Sequence, residues 1–518
     1  MHQTKEKACK EGLETVNDNY QFPDLEDMKK LPELSLPDYQ ELNKRFIEAV
    51  HDPANKIYRT NPQNGHPIFG AYTLSNSNEM VTWGILAIGE WLMNRDTKWI
   101  APTYFDFYSQ THRIFLNSPD VDKVEYWYLF YVNLLAGAVY RTLYDGEETA
   151  KNYLMEAASS MKKLAKSINY DFYAQGFDFT TYQSFTNRDI FCQPDSMAGY
   201  AYQMLFASQI LEQPDCLEES VNAIRRYQAY EKNPWYEIPN GSAGVLAAAW
   251  LQAHGYENDV EKTAFWIFDN ENGPLQKGNW GDECVNGLMM GWRGESRKDA
   301  MDSAYSMESL MPMQLLLPSV RYCPALAEAV SNWVRHVMSS FQLYYGQGKT
   351  KLKETRPELS SAVPYERLQR LEGEENPVAC GDFDGHRSVY GAGYLMWLDA
   401  LVRNTDREWI YALDLSVTDW LSRKNCPVYL IQNPLEEEIT VQFTAADIWK
   451  KKRPDLFENA FLVWELPSVR KLGMYEEKIT VTLKAKEYKF MAISKEMPLT
   501  TTNFICGADG EELLYTGR

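Results

Sequence analysis

Between residues 77 and 424 the hydrophobic pattern alternates between two kinds of segment. Six are apolar nearly all round and rich in small residues: "SNEMVTWGILAIGEWL" from Ser77, "VEYWYLFYVNLLAGAVYRTL" from Val124, "PDSMAGYAYQMLFASQIL" from Pro194, "GSAGVLAAAWLQAHG" from Gly241, "MDSAYSMESLMPMQLLL" from Met301 and "SVYGAGYLMWLDALV" from Ser388. Each is followed by a partner, from Thr97, Glu147, Leu217, Val260, Pro324 and Asp406 in turn, with apolar residues at helical spacing and one charged face. A helix without a polar face must be covered on every side, whereas one with a wet face belongs outside. Six inner helices ringed by six outer ones predict an (α/α)6 toroid over 77–424, each hairpin burying its apolar face on the next. An irregular bundle or open solenoid is the alternative packing.

Loop lengths give the toroid a front and a back. The turns from inner to outer helix are short and built from Asn, Asp and Gly, as in "NRDT" and "DGE". Returns to the next inner helix are often long: 51–76, 169–193, 269–298 and 345–387. Loops of that length without structure of their own are usually functional or disordered. All arrive at the N-terminal ends of inner helices and so crowd one mouth. Residues 1–76 read as an N-terminal arm and the first mouth loop. From 425 to 518 the pattern shifts to period two ("CPVYLIQNP", "EEITVQF", "NAFLVWEL", "EKITVTLKA", "EYKFMAIS"), which predicts a small antiparallel β-sandwich.

The chain's 518 residues, 45% hydrophobic and 24% charged, are ordinary globular material, but the formal charge of -20 repels phosphate backbones and anionic lipid. Nucleic acid and membrane surfaces are therefore poor partners, and a small neutral partner fits better. "YWYLFYVNLLAGAVY" contains Asn133 and falls short of the roughly 20 residues that span a bilayer. Eight scattered cysteines without a CxxC pair read as reduced thiols, and the polar start of the chain lacks a secretory core, so a cytoplasmic location is expected. The seven histidines never fall at zinc spacing, so neither a metal nor an organic cofactor is expected. "GQGKT" follows a helix instead of a strand and lacks the first glycine of a phosphate loop.

The mouth loops carry the chemistry. The first holds Tyr58, Phe69, Tyr72, Asn76 and Glu79; another holds Phe172, Tyr173, Phe177, Phe179, Tyr182, Asp189, Phe191 and Gln193. "NPWYEIPNG" adds Trp235, Tyr236 and Glu237; "GNWGDECVNGLMMGW" adds Trp280, Asp282, Glu283, Asn286 and Trp292; "CGDFDGHRSVY" adds Asp382, Asp384, His386 and Tyr390. Aromatic faces beside carboxylates and amides suit sugar rings, whose C–H faces stack while their hydroxyls find acceptors and donors. Many of these aromatics can equally serve to pin long loops to the scaffold. Six hairpins with acidic, aromatic loops on one face and a sandwich behind them resemble the (α/α)6-toroid carbohydrate-active enzymes, both glycoside hydrolases and polysaccharide lyases. The resemblance is architectural and carries over no catalytic residue.

Glycoside hydrolysis needs one protonated and one ionised carboxyl group flanking the bond. Asp282, beside Trp280 and a glycine, is the first candidate, with Glu283 able to replace it; Asp384 or Asp382 is the second, with Glu237 and Asp195 in reserve. Asp195 opens a helix in "QPDSMAG", where a cap is the simpler role. Trp280, Trp292, Trp235, Tyr236, Glu237, Asn286, Asp195, His386 and Tyr390 are the candidate sugar contacts. The expected activity is hydrolysis of a neutral oligo- or polysaccharide. The alternatives are a lyase on a uronate polymer using His386 and Tyr390 with Asn286 and Arg387, a non-catalytic glycan-binding protein, and a sugar epimerase using His386 and His66.

Overall fold

The helical part, in chain order, comprises α1 (Tyr39–His51), α2 (Met80–Leu92), α3 (Tyr126–Leu143), α4 (Glu148–Ser167), α5 (Ser196–Gln209), α6 (Asp215–Gln228), α7 (Ile238–Ala253), α8 (Val260–Phe268), α9 (Met313–Tyr322), α10 (Ala327–Ser340), α11 (Val389–Gly393) and α12 (Leu395–Leu401). The computed structural model describes residues 39–119, 121–186, 192–269, 272–276, 278–281, 283–291, 303–305, 307–345, 356–370, 377–380 and 386–517. Among these residues no helix is long and apolar enough to cross a membrane.

The segments apolar on every side are the buried ones. Each residue of α2 is buried, and so is each residue of α7 but Gln252. Helices α2, α3, α5, α7 and α9 pack each on the next, and α11 and α12 pack back on α2. The step from α9 to α11 is bridged by the 3-10 turn Met307–Leu310, which touches α11. On the outside, α4 packs on α3 and α5, α6 on α5, α8 on α7 and α10 on α9.

Three expected elements take another form. The segment after Thr97 is a 3-10 helix, Ala101–Phe107, begun by a proline and anchored by buried Tyr104 and Phe107. The inner segment from Met301 is a strand (Ser303–Tyr305) and a short turn before α9 begins behind Pro312, a residue that starts helices better than it continues them. The segment after Asp406 is no outer helix. Val402–Asn404 and Tyr411–Asp414 pair antiparallel, and Asp406 is bound to Gln442 through its backbone N–H (3.0 Å) and its carboxylate (2.7 Å), which draws the segment onto the sheet. The outer position on α12 is filled instead by α1, from the part read as an arm.

Small residues let the inner helices approach closely. A Cβ on Gly244 of α7 would lie 2.6 Å from the Cβ of Ala198 on α5, an atom with no rotamer to move. Gly244→Ala is therefore expected to destabilise by about 1–3 kcal/mol from overpacking, less up to about 1 kcal/mol of helix propensity gained, as read by chemical denaturation.

The C-terminal strands form a six-stranded antiparallel sheet in the order Val402–Asn404, Tyr411–Asp414, Val428–Gln432, Tyr488–Ile493, Phe461–Leu466, Arg470–Tyr475. This sheet takes in residues ahead of Lys424, earlier than the period-two pattern places it. Ile439–Thr444 pairs with Lys478–Leu483, and the alternate residues Ile439, Val441, Phe443, Ile479, Val481 and Leu483 are buried, the period-two signature of one covered face. The strands are joined to the helices by a fully buried ion pair, Arg321 of α9 to Asp419 at 2.7 Å.

Candidate functional site

Several chemistry-bearing side chains stand where inner helices begin. Glu79 is the N-cap of α2, Trp127 and Tyr128 lie in the first turn of α3, Glu237 is the N-cap of α7, and Tyr390 opens α11. With Tyr72, Met289, Tyr305 and Glu366 they line an open cavity of about 160 Å³. Among the described residues its wall thus carries three carboxyl groups, four tyrosines and a tryptophan, and no Lys, Arg or His.

Loop-to-loop hydrogen bonds set this arrangement. The first return is stitched to the start of α11: Val389 N–H donates to Ala71 C=O (2.8 Å), Thr73 N–H to Arg387 C=O (2.9 Å), and Arg387 N–H to the Thr73 hydroxyl (3.1 Å). Glu79 N–H donates to Phe69 C=O (2.8 Å), while Asn117 receives the N–H groups of Met80 and Val81 that begin α2. Gln193, fully buried, accepts the Trp127 N–H through its side-chain oxygen (2.8 Å) and donates to Glu125 (2.8 Å), which fixes the start of α3. The Trp127 and Tyr128 rings lie 3.9 Å apart, and Tyr72 meets Tyr390 edge-on at 5.9 Å.

The carboxyl groups sit in different surroundings. Burial raises the Glu79 pKa above the ordinary glutamate value, and hydrogen bonds from Ser77 (2.5 Å), Ala71 and Asn117 only partly oppose it. Glu366 is buried and accepts the Tyr72 hydroxyl at 2.5 Å. Glu237 is partly buried, as Glu79 is, at the positive end of the α7 dipole.

Of the residues singled out from sequence, Glu237 and Tyr390 line the cavity, as do Tyr72 and Glu79 of the first mouth loop. Asp282, Asp382, Asp384 and Trp292 lie outside the described residues. Trp280 is buried in a small satellite core with Val285, Leu288 and Tyr365, and Glu283 is buried on the strand paired with it. Trp235 and Tyr236 are buried, Asn286 meets His336 at 3.5 Å, and His386 is half-buried ahead of α11; none of these lines the cavity. Arg387 is fully buried, donating to Val363 C=O (2.9 Å) with its guanidinium 4.3 Å from the Tyr365 ring centre.

Asp195 has a positioning role. Completely buried at the start of α5, it accepts the N–H groups of Tyr236 (2.9 Å) and Glu237 (3.3 Å), and its side chain caps no N–H of α5 itself. Asp195→Ala leaves these donors without that acceptor and is expected to cost about 1–3 kcal/mol in chemical denaturation.

Glu366, Trp127, Tyr128 and Tyr305 are absent from the sequence-derived candidates. Glu366 sits in the same long return as "GDFDG", and its one signal is the "PYE" that it closes. Trp127 and Tyr128 belong to a run whose hydrophobicity reads as core.

No family model matches the sequence, and no curated protein matches it. Solved structures to which the chain is similar include a cellobiose 2-epimerase from Bacillus thermoamylovorans B4167, at 8% identity and TM-score 0.42 over 69% of this chain and 98% of that one. A sugar epimerase from a ruminal bacterium stands at 11% identity and TM-score 0.42 over 70% and 98%. An unsaturated glucuronyl hydrolase from Bacillus sp. GL1, responsible for the degradation of glycosaminoglycan, stands at 11% identity and TM-score 0.31 over 61% and 93%.

Proposed function

We propose that this chain is a carbohydrate-active enzyme, a glycoside hydrolase that takes a neutral oligo- or polysaccharide into the cavity at the helix N-termini. The observation that carries the reading is the wall itself: three carboxyl groups among aromatic rings, with no cationic side chain among the described residues that line it. Glu79 acts as the protonated acid toward the leaving oxygen, because burial favours its neutral form. Glu237 is the ionised partner and Glu366, braced by Tyr72, an acceptor for sugar hydroxyls. Trp127, Tyr128 and Tyr390 offer faces and edges for stacking. The order in which the inner helices pack supports a closed (α/α)6 toroid followed by an antiparallel β-sandwich.

A uronate polymer is the poorer guest. Carboxylates in the wall repel it, and Arg387 is engaged inside the protein. Incubating the unmodified protein with neutral oligosaccharides and with uronate polymers tests the choice. New reducing ends from neutral substrates alone are expected, whereas a preference for uronates would overturn the reading.

A further inference from the structure

Helix α3 lines a second cavity at its other end, where Arg141 stands about 20 Å along the helix from Trp127. This cavity, of about 340 Å³, lies where α3, the loop 423–425, the helix α13 (Asp447–Lys452) and the turn 509–511 meet. Arg141, Arg423, Lys424, Lys452 and Arg453 line it against three carboxylates, Asp145, Asp509 and Glu511. The lining itself is cationic in a chain of formal charge -20, although Glu212 and Asp455, which do not line it, each hold one of its arginines.

The arginines are held by carboxylates: Arg141 by Asp145 (2.8 Å), Arg453 by Glu511 (2.7 Å) and Asp509 (3.4 Å), Arg423 by Glu212 (2.9 Å). Lys452 and Lys424 have no carboxylate within ion-pair distance among the described residues. Lysines in the last turn of a helix ordinarily serve its dipole. The Lys452 ammonium instead lies over two indoles, 5.1 Å from the Trp91 ring and 5.0 Å from the Trp449 ring. Burial, with the charge of Arg141, lowers its pKa to about 8, and the more distant Asp414, Asp419 and Asp145 only partly offset this. A half-buried ammonium on the wall of a cavity, resting on indole faces and with no carboxylate bonded to it among the described residues, favours an anion beside it.

We propose that this cavity binds a small phosphate monoester, whose dianionic head meets Lys452 and Lys424 inside a wall fixed by Arg141 and Arg453. The volume is at the lower end of small-ligand pockets, roughly 300–1,000 Å³, so a metabolite fits and a polymer does not. The site is separate from the glycan cavity and does not depend on the hydrolase reading.

Calorimetric titration of the full-length protein with glucose 6-phosphate, inorganic phosphate and, as control, glucose, at matched ionic strength, tests it. Saturable binding of glucose 6-phosphate, tighter than that of inorganic phosphate and absent for glucose, is expected. Lys452→Met keeps the stem between the two indoles and is expected to weaken binding about tenfold or more. Exposed Lys424→Gln weakens it less and serves should the first variant fail to fold. No saturable binding, or binding unchanged in folded variants, would overturn the site; inorganic phosphate binding as tightly as the ester would overturn the ester.

Discussion

Glu79→Gln lowers turnover of a neutral oligosaccharide by about 10²–10⁴-fold, the range that a positioned general acid supplies. Gln keeps the shape and can still bond to Ser77, but it has no proton to deliver to a leaving oxygen, so sugar affinity stays within a few-fold of the parent while kcat collapses. The alkaline side of the parent's pH profile belongs to the same group. Burial raises the Glu79 pKa, so the acid form persists above the ordinary glutamate range and activity falls as pH rises through the raised value. A folded-state pKa above the unfolded one means that Glu79 contributes stability below the unfolded pKa, and that this contribution is lost as pH rises through the folded one. Gln has nothing to ionise, so the variant is expected to melt no lower than the parent at neutral pH. Unchanged kcat with a lowered melting temperature would make Glu79 a structural residue.

Arg321→Met is expected to cost about 3–5 kcal/mol of stability, the typical penalty for breaking a buried pair and stranding its partner. The guanidinium of Arg321 donates to Asp419 (2.7 Å), Asn425 (3.3 Å), Leu513 C=O (3.4 Å) and Glu512 C=O, and both members of the pair are essentially without solvent contact. Without it, Asp419 keeps the Tyr322 hydroxyl (2.7 Å) and the Leu421 N–H (3.2 Å) but no cation. The loss falls on the joint between α9 and the C-terminal strands. In urea denaturation, Arg321→Met with Asp419→Asn should recover part of the loss, because the stranded charge is gone. A double variant as unstable as the sum of the single ones would contradict this account of the joint.

The helical hairpins were legible because all-round apolarity forces burial, and α2, α3, α5 and α7 begin within a few residues of where the pattern places them. Period two was equally legible in Ile439–Thr444 and Lys478–Leu483. The pattern misled where tertiary contacts overrule it. α1 looks like an arm until α12 is seen to need a cover, and the residues around Asp406 look amphipathic until Gln442 offers them a sheet edge.

For the site, the sequence gives the end of the assembly more readily than the residues. Glu79, Glu237 and Tyr390 were visible because they precede or open inner helices. Trp127 and Tyr128 were hidden, since a cavity-facing aromatic and a core aromatic have the same sequence signal when both start an apolar helix. Trp280 illustrates the converse, a tryptophan in a long polar loop that packs into a core of its own.

The central claim, that the carboxyl-lined cavity hydrolyses a neutral glycan, is tested most directly by running the reaction in ¹⁸O-water and weighing the products. Hydrolysis places one ¹⁸O on the anomeric carbon of each new reducing end, and Glu79→Gln should abolish that signal. Cleavage that yields an unsaturated product without the label, or no cleavage of any neutral oligosaccharide, would contradict it.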